Sequence, residues 1–216
     1  REFRFRLDKP NGFLPGQYGL IGVEGVHGMR AYSFCNLADG GAEWHFQIKA
    51  MPNGACSNAL FFKTKVGARV ELDGPYGQAY LREDAPRDIL CIAGGSGLSP
   101  MISISRAFAR SETLKDRKLH FVYGGRSMRD LAGEDLLKEL PDFGSRIFYH
   151  AALSVPDAEW KGRTGFVHEA AKDVAGGDLA AYEIYYAGPL PMTEAITRMA
   201  IENKVPVAQL HYDRFY

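Results

Sequence analysis

The chain has 216 residues, enough for one large or two small domains at roughly 100 to 200 residues each, and two is the working expectation. Lysine plus arginine and aspartate plus glutamate both total 26, so no net field draws the chain onto nucleic acid or an anionic membrane, and small molecules or proteins are the expected partners. The three cysteines, Cys35, Cys56 and Cys91, lack the Cys-x-x-Cys spacing of a zinc or iron–sulfur site; with no signal peptide and no bilayer-length apolar run, they predict a reducing, cytoplasmic setting.

The opening residues, Arg1 to Leu7, read as a strand in mid-course with no turn before them, so a segment upstream of Arg1 is expected. Through about residue 84, short alternating or β-rich runs follow one another: Glu2 to Leu7, Gly16 to Val23, Ala31 to Asn36, Trp44 to Lys49 and Arg69 to Leu72. Turn clusters such as Lys9-Pro10-Asn11-Gly12 and Leu37-Ala38-Asp39-Gly40-Gly41 separate them, which predicts an antiparallel barrel or sandwich with one helix, Ser57 to Lys63. From Asp88 the pattern becomes apolar strand, glycine-rich turn, helix: Ile89 to Ala93 into Met101 to Ala109, and Leu119 to Tyr123 followed by Leu131 to Leu140. Then come a strand from Arg146 to Ala151, a short helix near Val167 to Ala171, Tyr182 to Ala187 leading into a helix from Met192 to Ile201, and a last strand near Val207 to Leu210. This alternation predicts a doubly wound parallel sheet. The charged stretch Glu83-Asp84-Ala85-Pro86 marks the boundary, giving domains 1–84 and 85–216.

The run Ile89-Leu90-Cys91-Ile92-Ala93 enters Gly94-Gly95-Ser96-Gly97-Leu98-Ser99-Pro100, and a helix follows. At the carboxyl edge of a parallel sheet, such a turn offers backbone amides and a helix N-terminus to a pyrophosphate; taken alone it is also an ordinary tight turn. The spacing is not Gly-x-Gly-x-x-Gly, and the second strand ends in Tyr123-Gly124-Gly125-Arg126 where an acidic ribose-binding residue would be expected, so a nucleotide fold other than the ordinary dinucleotide fingerprint is indicated. A further turn, Gly188-Pro189-Leu190-Pro191-Met192, opens another helix. In the first part, Arg30-Ala31-Tyr32-Ser33 taken alone reads as a surface strand with a buried tyrosine; a cation and an aromatic on one strand face would also suit a phosphate and a flat ring. Gly54-Ala55-Cys56-Ser57 opens the helix of this region, either as a possible anion site or as an ordinary serine-capped start.

With these motifs in order, and Gly74-Pro75-Tyr76-Gly77 among them, the chain resembles the ferredoxin-NADP reductase superfamily along nearly its whole length. Within it, the chain looks most like the FAD/NAD portion of reductase components serving bacterial aromatic-ring dioxygenases and multicomponent monooxygenases. The resemblance implies a six-stranded antiparallel FAD-binding barrel followed by a doubly wound parallel-sheet NAD-binding domain. It also implies that Arg30 holds the FAD pyrophosphate, that Tyr32 packs on the isoalloxazine, and that Ser33 hydrogen-bonds near flavin N5. Ile48 and Lys49 would pass the adenine side, and Gly54, Ala55, Cys56 and Ser57 would form the phosphate-holding helix start. Gly95, Ser96 and Gly97 would receive the nicotinamide dinucleotide, Arg126 would lie near its ribose and adenine, and Gly188, Pro189 and Met192 would form the turn beside the nicotinamide. Phe215 would cover the other flavin face.

The implied reaction moves hydride from NADH to FAD and single electrons onward to a ferredoxin or the protein's own iron–sulfur domain, and through it to an oxygenase. Ser33, Tyr32 and Phe215 are the residues expected beside the reacting ring, and no acid or base is required; the six histidines read as surface or satisfied residues. Many relatives have Cys-Gly-Pro where this chain has Ala187-Gly188-Pro189, and most carry a plant-type [2Fe-2S] domain that has no counterpart in these 216 residues. NADPH remains open as the coenzyme, because Arg126 and Arg129 would suit a 2′-phosphate that the neighbouring Asp130 would repel. The competing readings are a stand-alone ferredoxin, flavodoxin or cytochrome b5-type reductase, and a regulatory module that binds nucleotide or flavin without turnover.

Overall fold

The computed structural model describes residues 1–214. Strands β1 (Glu2–Arg6), β2 (Tyr18–Gly22), β3 (Arg30–Ser33), β4 (Glu43–Gln47) and β5 (Glu71–Tyr76), with helix α1 (Ala55–Phe62) between the last two, make the first unit. Alternation drives this part: in β4 Trp44 and Phe46 are buried while Glu43, His45 and Gln47 face outward. Phe34 sits at the centre of the core, with the rings of Phe13, Trp44 and Phe46 at 4.0, 4.9 and 5.2 Å, and Ile21, Ile48, Cys56 and Leu60 complete it. Strand β4 pairs antiparallel with β1, while β2 lies between β3 and β5; the isolated bridge of Phe34 to Phe46 joins the two sheets. Each of the five runs read from the sequence overlaps one of the five strands, although β3 ends at Ser33 rather than Asn36 and β5 runs over Glu71–Tyr76 rather than Arg69 to Leu72. The sixth strand of the expected barrel has no counterpart among the described residues, so β1 and β5 each pair on one side only.

The second unit holds β6 (Asp88–Gly94), α2 (Leu98–Arg110), β7 (Leu119–Gly125), α3 (Glu134–Lys138), β8 (Ile147–Leu153), β9 (Arg163–Thr164), α4 (Val167–Val174), β10 (Tyr182–Ala187), α5 (Leu190–Glu202) and β11 (Leu210–His211). Its six parallel strands lie in the order β11-β10-β6-β7-β8-β9. Residues of α2 and α3 share one core with the sheet, residues of α4 and α5 the other. Covered on both faces, β6 is buried from Ile89 to Gly94, which is why it reads as an unbroken apolar run. Three elements differ from expectation, the first being the two-residue edge strand β9, which the sequence reading did not include. The helix expected over 131–140 is only Glu134–Lys138, because Gly133 turns at φ +93° with its α-carbon against Leu98. The strand expected over 207–210 begins at Leu210, because Val207–Gln209 forms a 3-10 turn after Pro206.

The chain enters this sheet at β6, winds out to β9, and crosses back to β10 on the other side of β6, so the order of strands reverses between β6 and β10. That reversal opens a crevice at their carboxyl ends. Close approach of backbone to backbone shapes it. A β-carbon at Gly97 would overlap the Ala187 carbonyl, and one at Gly94 would lie 2.6 Å from Met192 Sδ. Gly95 has nothing within 4 Å of such a carbon, and glycine is favoured there by its φ of +56°.

One face of α2 joins the two units. Ser99 Oγ donates to the Ser33 carbonyl (2.7 Å), Ser103 Oγ to that of Asn36 (2.8 Å), Arg106 to that of Cys35 (2.7 Å), and Arg110 reaches both oxygens of Asp39 (3.0 and 2.8 Å). Spacings of four, three and four residues put these side chains on one helical stripe. Opposite this seam, Arg82 N–H donates to the Tyr185 hydroxyl (2.8 Å) and Gln78 N–H to Asp213 (3.0 Å).

The buried Glu183 carboxylate meets His211 at 2.6 Å and Arg87 at 3.2 Å, and His120 and His150 face each other across β7 and β8 at 3.1 Å. Burial pushes both of the latter imidazoles below 6.5, against the opposing pull of Asp88 on His120. Their contribution to stability is therefore complete above pH 6.5 and is lost as pH falls through the lower folded values. The melting temperature should fall on going from about pH 7 to about pH 5, and His120→Phe should shrink that fall; an unchanged pH profile would remove the pair from the account. Gly97→Ala should cost about 3 kcal/mol or prevent folding, against about 1 kcal/mol for Gly95→Ala, as read by urea unfolding.

Candidate functional site

A cleft of about 1020 Å³ lies over the carboxyl ends of β6 and β7, between the two units. Its walls include Lys49, Ser96, Tyr123, Arg126, Phe166 and Met192. The sequence motifs converge here because parallel strands place all of their following turns on one edge of the sheet. Gly95 and Ser96 are exposed at the cleft, while Gly97 is buried behind them against β10. Tyr123 Oη donates to the Gly95 carbonyl (3.3 Å), holding the second strand's end against the first turn. Met192, the third residue of α5, lies across both glycine turns: a β-carbon at Gly188 would overlap its methyl, as one at Gly94 would meet its sulfur. Pro189 is the N-cap of α5 and lines the cleft.

Asp130 is held at the far end of the same cleft. Its carboxylate accepts from Ser127 N–H (3.1 Å), Ser127 Oγ (3.2 Å) and Arg126 N–H (3.3 Å), and these hydrogen bonds hold its pKa below the usual aspartate value. Arg126 and Arg129 line the cleft beside it.

The residues read from the first unit form a second group on β3 and α1. Arg30 is exposed at the start of β3; its guanidinium donates to the Met29 carbonyl (2.9 Å) and has no carboxylate partner among the described residues. Tyr32 is half-buried beside Cys56, with its ring edge-on to Phe46 at 6.5 Å, and burial raises its phenol pKa. Ser33 ends the strand, its carbonyl bound by Ser99. Gly54 caps α1, and a β-carbon there would sit 2.5 Å from Ser57 Oγ. That hydroxyl is turned inward, accepting from Met51 N–H (3.2 Å) and donating to the Gly54 carbonyl (3.2 Å), so the amides of the first turn are what α1 presents outward. Ala55 is exposed at that start, whereas Cys56 is buried with its thiol toward the Ile21 carbonyl at 3.7 Å. Ile48 belongs by its side chain to the core and exchanges main-chain hydrogen bonds with Arg1, leaving Lys49 as the exposed charge at the cleft. Phe215 lies outside the described residues.

The sequence reading passed over Phe166 and Ser154. Phe166 is 61% exposed at the cleft wall, immediately before α4. A large aromatic left in solvent at a strand-end turn is a binding signal, but in the sequence it is indistinguishable from a core phenylalanine.

Residues 1–80 match the family model described as an oxidoreductase FAD-binding domain, and residues 91–198 match the one described as an oxidoreductase NAD-binding domain. The chain is 39% identical over 221 residues to the ferredoxin--NAD(P)(+) reductase CarAd of Metapseudomonas resinovorans, covering 99% of this chain and 64% of that protein. It is 34% identical to the phenol 2-monooxygenase reductase component DmpP of Pseudomonas sp. (strain CF600), over 98% of this chain and 60% of that one. The solved structure of the ferredoxin reductase in carbazole 1,9a-dioxygenase superposes with a TM-score of 0.90 at 37% identity, covering all of this chain and 64% of its own. The chain thus spans about three-fifths of the length of these relatives. With a flavin-binding half and a nicotinamide-binding half matched in this order, it belongs to the FAD- and NAD-binding oxidoreductases.

Proposed function

We propose that this chain is the flavin- and nicotinamide-binding part of an electron-transfer reductase, taking hydride from NADH onto FAD and passing electrons singly to a ferredoxin or an iron–sulfur domain that serves an oxygenase. The carrying observation is that an open glycine turn at the strand-reversal crevice is hydrogen-bonded, through Ser99, to the strand bearing Arg30, Tyr32 and Ser33. We put the division between the two binding units between Asp84 and Ala85, and the 81–90 stretch that neither family model covers supports this reading.

The chain's residues suit both groups. The Arg30 guanidinium, without a carboxylate partner among the described residues, and the outward amides opening α1 would hold the FAD pyrophosphate, with Gly54 letting the helix start close over the Ser57 hydroxyl. The half-buried Tyr32 ring would lie against the isoalloxazine, with the Ser33 hydroxyl toward N5 and Phe215 on the opposite face. The main chain at Ile48 and the Lys49 ammonium would flank the adenine side. Gly95 and Ser96 would receive the coenzyme's pyrophosphate, with Gly97 setting the depth of the turn. Arg126 would lie near the ribose and adenine, and Gly188, Pro189 and Met192 beside the nicotinamide. Bound FAD supplies the conversion of a two-electron hydride into single-electron transfers. The protein contributes alignment, worth up to about 7–11 kcal/mol in well-oriented reactions.

NADH is the favoured coenzyme, because the carboxylate of Asp130 stands beside Arg126 and Arg129, where it would repel a 2′-phosphate. A reducing cytoplasmic setting is supported by three free, buried cysteines. No helix among the described residues is long and apolar enough to cross a membrane.

Purified protein loaded with FAD should be yellow and should bleach under anaerobic conditions, faster with NADH than with NADPH. A bound flavin that neither coenzyme reduces would sink the reading. Asp130→Asn should narrow the NADH preference without changing FAD content. Arg30→Ala should raise the FAD dissociation constant about 10- to 100-fold, the loss of one charge-assisted contact, as followed by flavin fluorescence on dilution.

A further inference from the structure

Ser99 is buried at 2% exposure, two residues beyond the Gly95–Gly97 turn and on the first turn of α2. Its hydroxyl faces the first unit: it donates to the Ser33 carbonyl at 2.7 Å, accepts from Gln47 N–H at 3.3 Å, and lies beside the Cys35 thiol. The Gln47 amide has no acceptor on β1, because Arg1 and Ile48 form the neighbouring bonded pair and Gln47 faces Glu2 at a non-bonded position. One hydroxyl therefore gathers β3, β4 and α2. On its other side, the same stretch is locked to β10, since Gly97 touches the Ala187 carbonyl with no room for a methyl group. Ser33 and the Gly188 turn are thus connected through a short rigid path: Ser33, Ser99, Gly97, Ala187.

We propose that Ser99 is a positioning residue for hydride transfer, setting the separation between the flavin held on β3 and the nicotinamide held at the Gly188 turn. This rests on the function proposed above. The remaining links of α2 lie farther from the reacting ends: Ser103 is one turn on, about 6 Å along the axis, and Arg106 and Arg110 lie beyond it. They hold the units together, whereas Ser99 sets the distance at the crevice. Reaction between two bound rings is steep in distance, and a misplacement of about 1 Å costs on the order of 100-fold.

The test compares Ser99→Ala, Ser99→Thr and Ser103→Ala in the FAD-loaded chain, with hydrogen exchange of the Gln47 amide measured in the FAD-free protein. Ser103→Ala removes a bond of the same kind, hydroxyl to main-chain carbonyl, on the same face of the same helix. Ser99→Ala should slow flavin bleaching at saturating NADH by about 10- to 100-fold at unchanged FAD content, and speed exchange at Gln47. Ser99→Thr, which keeps the hydroxyl, should restore both to within about twofold, and Ser103→Ala should leave both there while lowering the melting temperature. Bleaching by Ser99→Ala within twofold of the parent, or an equal loss in Ser103→Ala, overturns the assignment. A parent protein that NADH does not bleach refutes the proposed reductase function instead, a distinct result because Gln47 exchange still reports whether Ser99 makes its bonds.

Discussion

The structure depends on the seam that α2 makes with the segment from Ser33 to Asp39. Four side chains of one helix face bind this segment, three of them through the main-chain carbonyls of Ser33, Cys35 and Asn36. A carbonyl buried between units costs free energy unless a donor reaches it, so these serines and arginines satisfy the interface and also define its register. Hydroxyls and guanidinium groups suit this work better than apolar side chains would, because each bond fixes a direction as well as a contact.

The second constraint is close backbone approach. At Gly97 and Gly94 the atoms that forbid a β-carbon belong to the chain itself, to the Ala187 carbonyl and the Met192 side chain. Glycine at those two positions is a packing requirement, and only Gly95 is left open toward the cleft. The motif therefore serves two ends at once: it brings β6 and β10 close enough to make the crevice, and it bares amides at the crevice floor. Met192 completes the arrangement by lying over both turns, a use of an unbranched, adaptable side chain where two backbones meet.

Charge is placed sparingly. Glu183 is buried on β10 and meets His211 and Arg87, a group that anchors the edge strand β11 to its neighbour. At the cleft, by contrast, Lys49, Arg126 and Arg129 line the wall, and Asp130 is kept ionised by amide and hydroxyl donors. A neutral chain thus carries a cleft lined by both signs of charge, Arg1, Lys49, Arg126 and Arg129 together with Glu2, Asp130 and Asp135, which is a recognition pattern rather than a general attraction for anions.

Much of this was legible in the sequence. Alternation located β1 to β5, apolar runs located β6, β7, β8 and β10, and the glycine turns marked the carboxyl edge, because these signals are local and repeat with the period of the backbone. The change from β-rich to alternating β and α patterns was visible in the sequence too, since it needs no partner to be seen. Tertiary structure decided the rest. Gly133 shortened α3 through its position against Leu98, and the inward turn of the Ser57 hydroxyl decided which atoms α1 presents. Ser99 looked like any serine of a helix start until β3 and β4 were brought to it, and Phe166 looked like core until it was left in solvent. These outcomes depend on atoms distant in the chain meeting in space, and no local period encodes such a meeting.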